Sequence, residues 1–173
     1  MPRYVVLLRG INVGTRRRLA MADLRALLAD AGYTDVKTLL NSGNALVTGP
    51  DEPPAAHAGR ITAAIADRTG MDVPAVVLTA DQLRAVVDGH PFADVADNGS
   101  RMMAHVLAEP PGAALLAEHD PVAADPQRAR LVGQVVYQWC PDGVLDAPPV
   151  GFPATVLTTT RNWNTITRLA ALL

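Results

Sequence analysis

Tyr4-Val5-Val6-Leu7-Leu8-Arg9-Gly10-Ile11-Asn12-Val13-Gly14 decides how the first half of this chain is read. Its opening five residues are apolar without a break, the pattern of a central strand covered on both faces. The glycines at 10 and 14 then allow sharp turns and bracket a loop. Outward from this stretch, Met21, Leu24, Leu27, Leu28 and Ala31 recur at helical spacing, and Gly32 supplies a stop. Val36 to Leu40 and Ala45 to Thr48 read as short strands around the turn Asn41-Ser42-Gly43-Asn44.

Further on, Pro53-Pro54 opens a helix with Ala58, Ile61 and Ile65 on one face, closing near Gly70. Val73 to Leu78 reads as a strand, and Pro74 inside it argues for a sheet edge. Thr79 and Gln82 form a capping box for a helix through Val87. The order strand, helix, strand, strand, helix, strand is the ferredoxin-like arrangement. With right-handed crossovers the fourth strand falls at an edge, and the first two strands run parallel with the third between them. The Arg9–Gly14 loop and the Asn41–Asn44 turn are therefore expected at one end of the sheet.

The fold class expected is α+β: a ferredoxin-like half over residues 1–90 and a second, smaller α+β half over 91–173 packed against it. In the second half Arg101 to Ala108 is strand-like, Gly112 to His119 a short helix, and Asp120 to Gln127 a loop. Arg130–Val132 and Gln134–Trp139 suggest a hairpin about Gly133. Prolines and glycines dominate Pro141 to Pro153, where no element is assigned. A last helix is expected to carry Trp163, Ile166, Ala170 and Leu173 on one stripe. No internal repeat is detectable in the residues.

Three groups carry the candidate chemistry. Arg16-Arg17-Arg18 lie between the glycine-bracketed loop and the expected helix, where the helix dipole disfavours cations. With Arg9 and Asn12 they suit a carboxylate or phosphate, although neither a Walker nor a dinucleotide pattern is present. The bland reading is a solvated charge run on a structural loop. Asn41, Ser42 and Asn44 belong to a good hairpin turn and gain interest from their expected neighbour. Arg161-Asn162-Trp163-Asn164-Thr165 places Asn162 as an N-cap, Trp163 as a core anchor, and Arg161 again as a cation at a helix start. If the last helix docks on the back of the first sheet, Arg161 and Asn162 approach Arg9 or Asn44.

Composition narrows the function classes. The 173 residues are 49% hydrophobic and 18% charged, a globular balance. No apolar run is long enough to span a membrane, and the start shows no signal-peptide layout, so a cytoplasmic protein is expected. Cys140 is the one cysteine, excluding an internal disulfide. Lys37 is the one lysine, and the net charge of −2 removes general attraction to nucleic acid. His57, His90, His105 and His119 share no ligand spacing. No metal or cofactor is expected; the residues identify no general base and name no reaction, so whether chemistry follows binding stays open.

Taken together, Leu8–Gly14, Met21-Ala22-Asp23-Leu24-Arg25, Ser42-Gly43-Asn44, Pro91-Phe92 and Arg161–Thr165 resemble the bacterial family called domain of unknown function 1697. The resemblance covers nearly the whole chain. It implies a cytoplasmic α+β protein with a ferredoxin-like N-terminal part and a second α+β part, and no established activity. Members often carry a Gly-x-Ser-Lys-Leu-like stretch after the Cys-Pro-x-Gly turn; here Cys140-Pro141-Asp142-Gly143 leads into Val144-Leu145-Asp146-Ala147-Pro148-Pro149.

The function expected is binding of a phosphate- or carboxylate-bearing small molecule, such as a nucleotide. Arg9 and Arg161 supply forked contacts in this reading, Asn12 and Asn44 orienting hydrogen bonds, and Arg16–Arg18 an electrostatic rim. One alternative is an RNA or single-strand-binding module, against which stands an aromatic content of 4%. The other is a structural protein whose arginines pair with acids such as Asp23 or Asp142.

Overall fold

The computed structural model describes residues 1–173. In chain order it contains β1 (Arg3–Leu8), α1 (Met21–Asp30), β2 (Thr34–Leu39), β3 (Asn44–Thr48), α2 (Pro54–Thr69), β4 (Ala75–Thr79) and α3 (Ala80–Asp88). There follow β5 (Met102–Leu107), α4 (Ala113–Glu118), β6 (Ala129–Val132), β7 (Val135–Trp139), a 3-10 turn at Val144–Asp146, β8 (Thr158–Asn162) and α5 (Trp163–Ala171). Two units result: Met1–Leu83 with Ala171–Leu173, and Arg84–Ala170. The division falls inside α3. No helix is long and apolar enough to cross a membrane.

The first unit holds an antiparallel sheet in the order β2-β3-β1-β4, the ferredoxin-like order. β1 is buried on both faces, as its unbroken apolar run requires. One face gives Tyr4, Val6 and Leu8 to a core shared with Ala45 and Val47 of β3, Ala75 and Val77 of β4, and the helix residues Leu24, Leu27, Leu28, Ile61 and Ile65. Each large side chain so buried contributes about 1.5–3 kcal/mol. Gly70, at φ 71°, closes α2.

One local boundary differs from expectation. β4 begins after Pro74 rather than containing it, and the Pro74 carbonyl accepts from Arg9 N at 2.9 Å. α1 starts at Met21, so the arginines at 16–18 stand in the bends upstream of its first turn, which carries Asp23 instead. The three guanidinium groups therefore do not stand in the first turn of α1. The capping box is formed as read: Thr79 N donates to Gln82 Oε1 at 2.8 Å, and Gln82 N to Thr79 Oγ1 at 3.1 Å.

The second unit has its own four-stranded sheet, ordered β6-β7-β5-β8. The β6–β7 hairpin turns at Gly133, with φ 58°. β8 falls on residues to which no strand was assigned. Its three consecutive threonines are β-branched and suit an extended chain. α5 ends at Ala171 and buries Thr165, Ile166 and Leu169, so of the expected stripe Ile166 is buried while Trp163, Ala170 and Leu173 are half-buried.

The two sheets share one scheme. Leu7↔Asn44 and Tyr4↔Val47 in the first sheet correspond to Val106↔Val135 and Met103↔Tyr137's neighbour Gln138 in the second. Leu8↔Ala75 and Tyr4↔Thr79 correspond to Leu107↔Thr158 and Met103↔Asn162. Bonds beyond the strands repeat as well: Leu8 N to Gly43 O and Leu107 N to Gln134 O are both 2.8 Å. Arg9 N to Pro74 O is matched by Ala108 N to Leu157 O at 3.3 Å. Each final strand ends in a residue that caps the helix after it, Thr79 for Gln82 N and Asn162 for Thr165 N. The chain thus contains an internal repeat of backbone that is almost absent from its residues: Arg3–Leu8 reads RYVVLL where Met102–Leu107 reads MMAHVL.

Candidate functional site

At the end of the first sheet the Arg9–Gly14 loop meets the Asn41–Asn44 turn, as the strand order requires. Gly43, at φ 85°, packs so tightly that a Cβ there would lie 2.7 Å from Leu8 Cβ and 2.9 Å from Ile11 Cδ1. Ile11 is 2% exposed and plugs the loop from beneath.

Asn12 holds the loop together. Its Oδ1 accepts from Leu19 N at 2.9 Å, and its Nδ2 donates to Leu19 O at 2.8 Å and to Asn41 O at 2.7 Å. Asn12 N also donates to Arg17 O at 3.1 Å. These bonds keep Asn12 and Arg17 at positive φ, both 54°, a region that asparagine tolerates and arginine rarely enters. Asn44 is fully buried and donates to Leu39 O and Ser42 Oγ, each at 2.9 Å. Both side chains expected to orient a ligand are thus committed to the frame. Asn41 and Ser42 remain on the surface.

Arg9, Arg16, Arg17 and Arg18 are all exposed. Arg17 donates to the carbonyl of Asp72 and so ties the loop to the segment before β4. The arginine–carboxylate pairs of Arg60 with Glu52, Arg68 with Asp30 and Arg128 with Asp142 include none of the four. The loop thus gathers several guanidinium groups on a surface fixed by backbone hydrogen bonds.

Arg161 and its neighbours lie in the second unit. Arg161 is a residue of β8, not of the helix that follows, and is 8% exposed. Its NH1 donates to Thr159 Oγ1 at 2.8 Å and to Thr160 O at 2.9 Å. Burial lowers its pKa to about 10, so it is still a cation at neutral pH. Asn162 is the N-cap expected, its Oδ1 accepting from Thr165 N at 3.0 Å. Trp163 packs between His90, at 4.4 Å between ring centroids, and Tyr137, at 6.1 Å. Asn164 is exposed and lies against Gly99, where an added Cβ would meet its Oδ1 at 2.2 Å.

Two polar clusters escaped the reading of the residues. In the first unit His57 is fully buried, with Nδ1 2.8 Å from Tyr33 Oη and its ring 4.0 Å from that of Tyr4. Arg60, paired with Glu52 at 2.7 Å, stands over this pair. Burial first, and then the Arg60 charge, lowers the pKa of His57. In the second unit His105 Nδ1 lies 2.8 Å from Thr160 Oγ1. No spacing in the sequence marks either cluster, because both form across strands or between a helix and a loop.

The comparisons with known proteins agree with the motifs. The family model described as "Protein of unknown function (DUF1697)" matches residues 1–137, and the chain belongs to that family. No curated protein matches it. Among solved structures it is similar to the conserved bacterial protein SP0830 from Streptococcus pneumoniae, with a TM-score of 0.74 and 20% identity. That match covers 99% of this chain and 98% of the other, and it shows a common fold.

Proposed function

We propose, for this member of a family without an assigned activity, that the loop at 9–18 recognises a small phosphate- or carboxylate-bearing ligand such as a nucleotide. The observation that carries the reading is the Asn12 staple. It holds a loop that concentrates Arg9, Arg16, Arg17 and Arg18 in a fixed, partly left-handed conformation. Such a conformation costs of order 1–3 kcal/mol per strained residue. Repulsion between neighbouring guanidinium groups adds roughly 0.7 kcal/mol per pair at ~6 Å in water. An anion reverses the second term, and forked N–H groups suit its oxygens. Arg9, Arg16 and Arg18 are the contacts in this reading, while Asn12, Asn44 and Gly43 are the frame. Tyr4 and Tyr33, 1% and 3% exposed, present no ring for base stacking, which favours a small ligand over a nucleic-acid strand.

The test is thermal denaturation at low salt against inorganic phosphate, pyrophosphate and nucleotides. A ligand at about 100 times its Kd adds about 2.7 kcal/mol, or roughly 5–10 °C for a chain of this size. The shift is expected to shrink with added salt and to vanish when Arg9, Arg16 and Arg18 are replaced by alanine. No shift with any anion, or an equal shift in the triple variant, overturns the reading.

A further inference from the structure

Because the second sheet repeats the register of the first, each of its residues has a counterpart that shows what the fold alone requires. On the helix-covered face of the first sheet, Val6 pairs with Val77, and Val47 lies on the same face one step along. These valines belong to the core and are at most 2% exposed. Their counterparts in the second unit are His105, Thr160 and Gln138. Packing needs only three apolar side chains here, yet an imidazole, a hydroxyl and a carboxamide occupy the places.

The three are arranged in series. His105 Nδ1 and Thr160 Oγ1 are 2.8 Å apart. Gln138 Nε2 donates to Asp125 Oδ2 at 3.1 Å and to Pro148 O at 2.9 Å, which anchors the carboxamide near the imidazole. His105 Nε2 is buried and has no hydrogen-bond partner. With its proton on Nε2, the ring leaves the Nδ1 lone pair to accept from the Thr160 hydroxyl. Burial lowers the pKa of His105, so the ring is neutral, the form in which Nδ1 can carry a lone pair toward Thr160. Thr160 is exposed on β8, an edge strand.

We propose that Thr160 is a nucleophile served by His105 as general base, positioned by Gln138 and Asp125, and that it accepts an acyl group from an activated ester or thioester. In the step, Thr160 Oγ bonds to the acyl carbon as its proton passes to His105 Nδ1. The bond from that carbon to the leaving oxygen or sulfur breaks, and the leaving group takes the proton from Nδ1. An acyl-threonine ester and a free alcohol or thiol result, with no change of oxidation state. Water activated by the same nitrogen then returns the hydroxyl and releases the carboxylic acid. This arrangement of nucleophile, base and orienting group is the general one for acyl transfer.

The experiment uses the whole chain with p-nitrophenyl acetate, following p-nitrophenolate release and mapping the acetyl group by peptide mass. Acetyl on Thr160 is expected. Release falls by about 100-fold or more in T160V and in H105V, the usual contribution of a general base, and persists in T160S. Q138V, which acts through the ring, is expected to move the pH at which the rate is half-maximal. All three valine variants install residues that the first sheet already carries at these places, and a melting curve for each checks folding. Acetyl found only on Lys37, Cys140 or the amino terminus, or release by T160V equal to that of the unaltered chain, overturns the proposal.

Discussion

The two units share a strand order, a register and a capped final helix, and they differ in what lies on the sheet. In the first, α1 and α2 cover an apolar face, and the second of these helices runs from Pro54 to Thr69. In the second, α4 spans Ala113–Glu118 and buries no residue fully, and a 3-10 turn at Val144–Asp146 stands where α2 would be. Tyr4, Val6, Leu8, Val47 and Val77 give way to Met103, His105, Leu107, Gln138 and Thr160. A sheet scaffold therefore tolerates loss of helical cover when that face carries polar groups that bond to one another and to the loops around them. The difference also separates what packing demands from what it merely permits.

The largest effect is expected where helical cover is removed from the first unit. Ile65→Ala costs about 2–5 kcal/mol, whereas Leu115→Ala, at the one half-buried position of α4, costs under about 1 kcal/mol, both read from urea unfolding. Equal losses would break the comparison. Next comes Gly43→Ala, at about 2–3 kcal/mol from left-handed strain and the close approach to Leu8 together. Its counterpart Gln134→Ala is expected to cost about 1 kcal/mol, the bond from Nε2 to Leu107 O. Thr79→Ala and Asn162→Ala, the two caps, are each expected to cost about 1 kcal/mol. Near-equality of that pair sharpens the comparison, because the repeat predicts the same role in both units.

The smallest effect is a slope with pH. His57 in the first unit and His105 in the second both have pKa values lowered from 6.5, chiefly by burial. The unfolded chain therefore binds more protons in acid than the folded one. Their stabilisation is complete above the unfolded value and is lost as pH falls below it. Tyr4, Tyr33, Arg60 and Glu52 surround His57; Thr160 and Gln138 flank His105. Melting temperatures at pH 7.5 and 5.5 are expected to differ less in H57F and in H105V than in the unaltered chain. An unchanged difference in both would mean that other groups set the acid limit.

Much of the first unit was legible because its signals are local and agree with one another. The unbroken run at Tyr4–Leu8, the stops at Gly32 and Gly70 and the box at Thr79 and Gln82 each name one element, and topology then joins the Arg9 loop to the Asn41 turn. The role of Asn12 was not legible: an asparagine between glycines reads equally as ligand contact or as staple until its partners at Leu19 and Asn41 are placed. Arg16–Arg18 were weighed against the dipole of a helix whose first turn begins only at Met21, and Arg161 was read by the helix after it because the strand that holds it, β8, shows no apolar run in the sequence. β8 and the repeat were hidden because register is a property of pairs. His105 and Thr160, 55 positions apart, meet only across β5 and β8.

The packing of Gly43 against Leu8 and Ile11 bears on how this chain drifts under mutation. Nearly every change at 43 adds a Cβ to a place with no room for it, so variants there should disappear early from any population under selection for folding. Asn12 and Asn41 are bound through one carboxamide and one backbone carbonyl, so position 41 is free to vary in side chain while position 12 is not. The loop and the turn are thus inherited as a single part, although other elements of the chain separate their residues. A deep collection of descendants should keep glycine at 43 and asparagine at 12 together, and lose them together where the arginines at 9 and 16–18 are also lost.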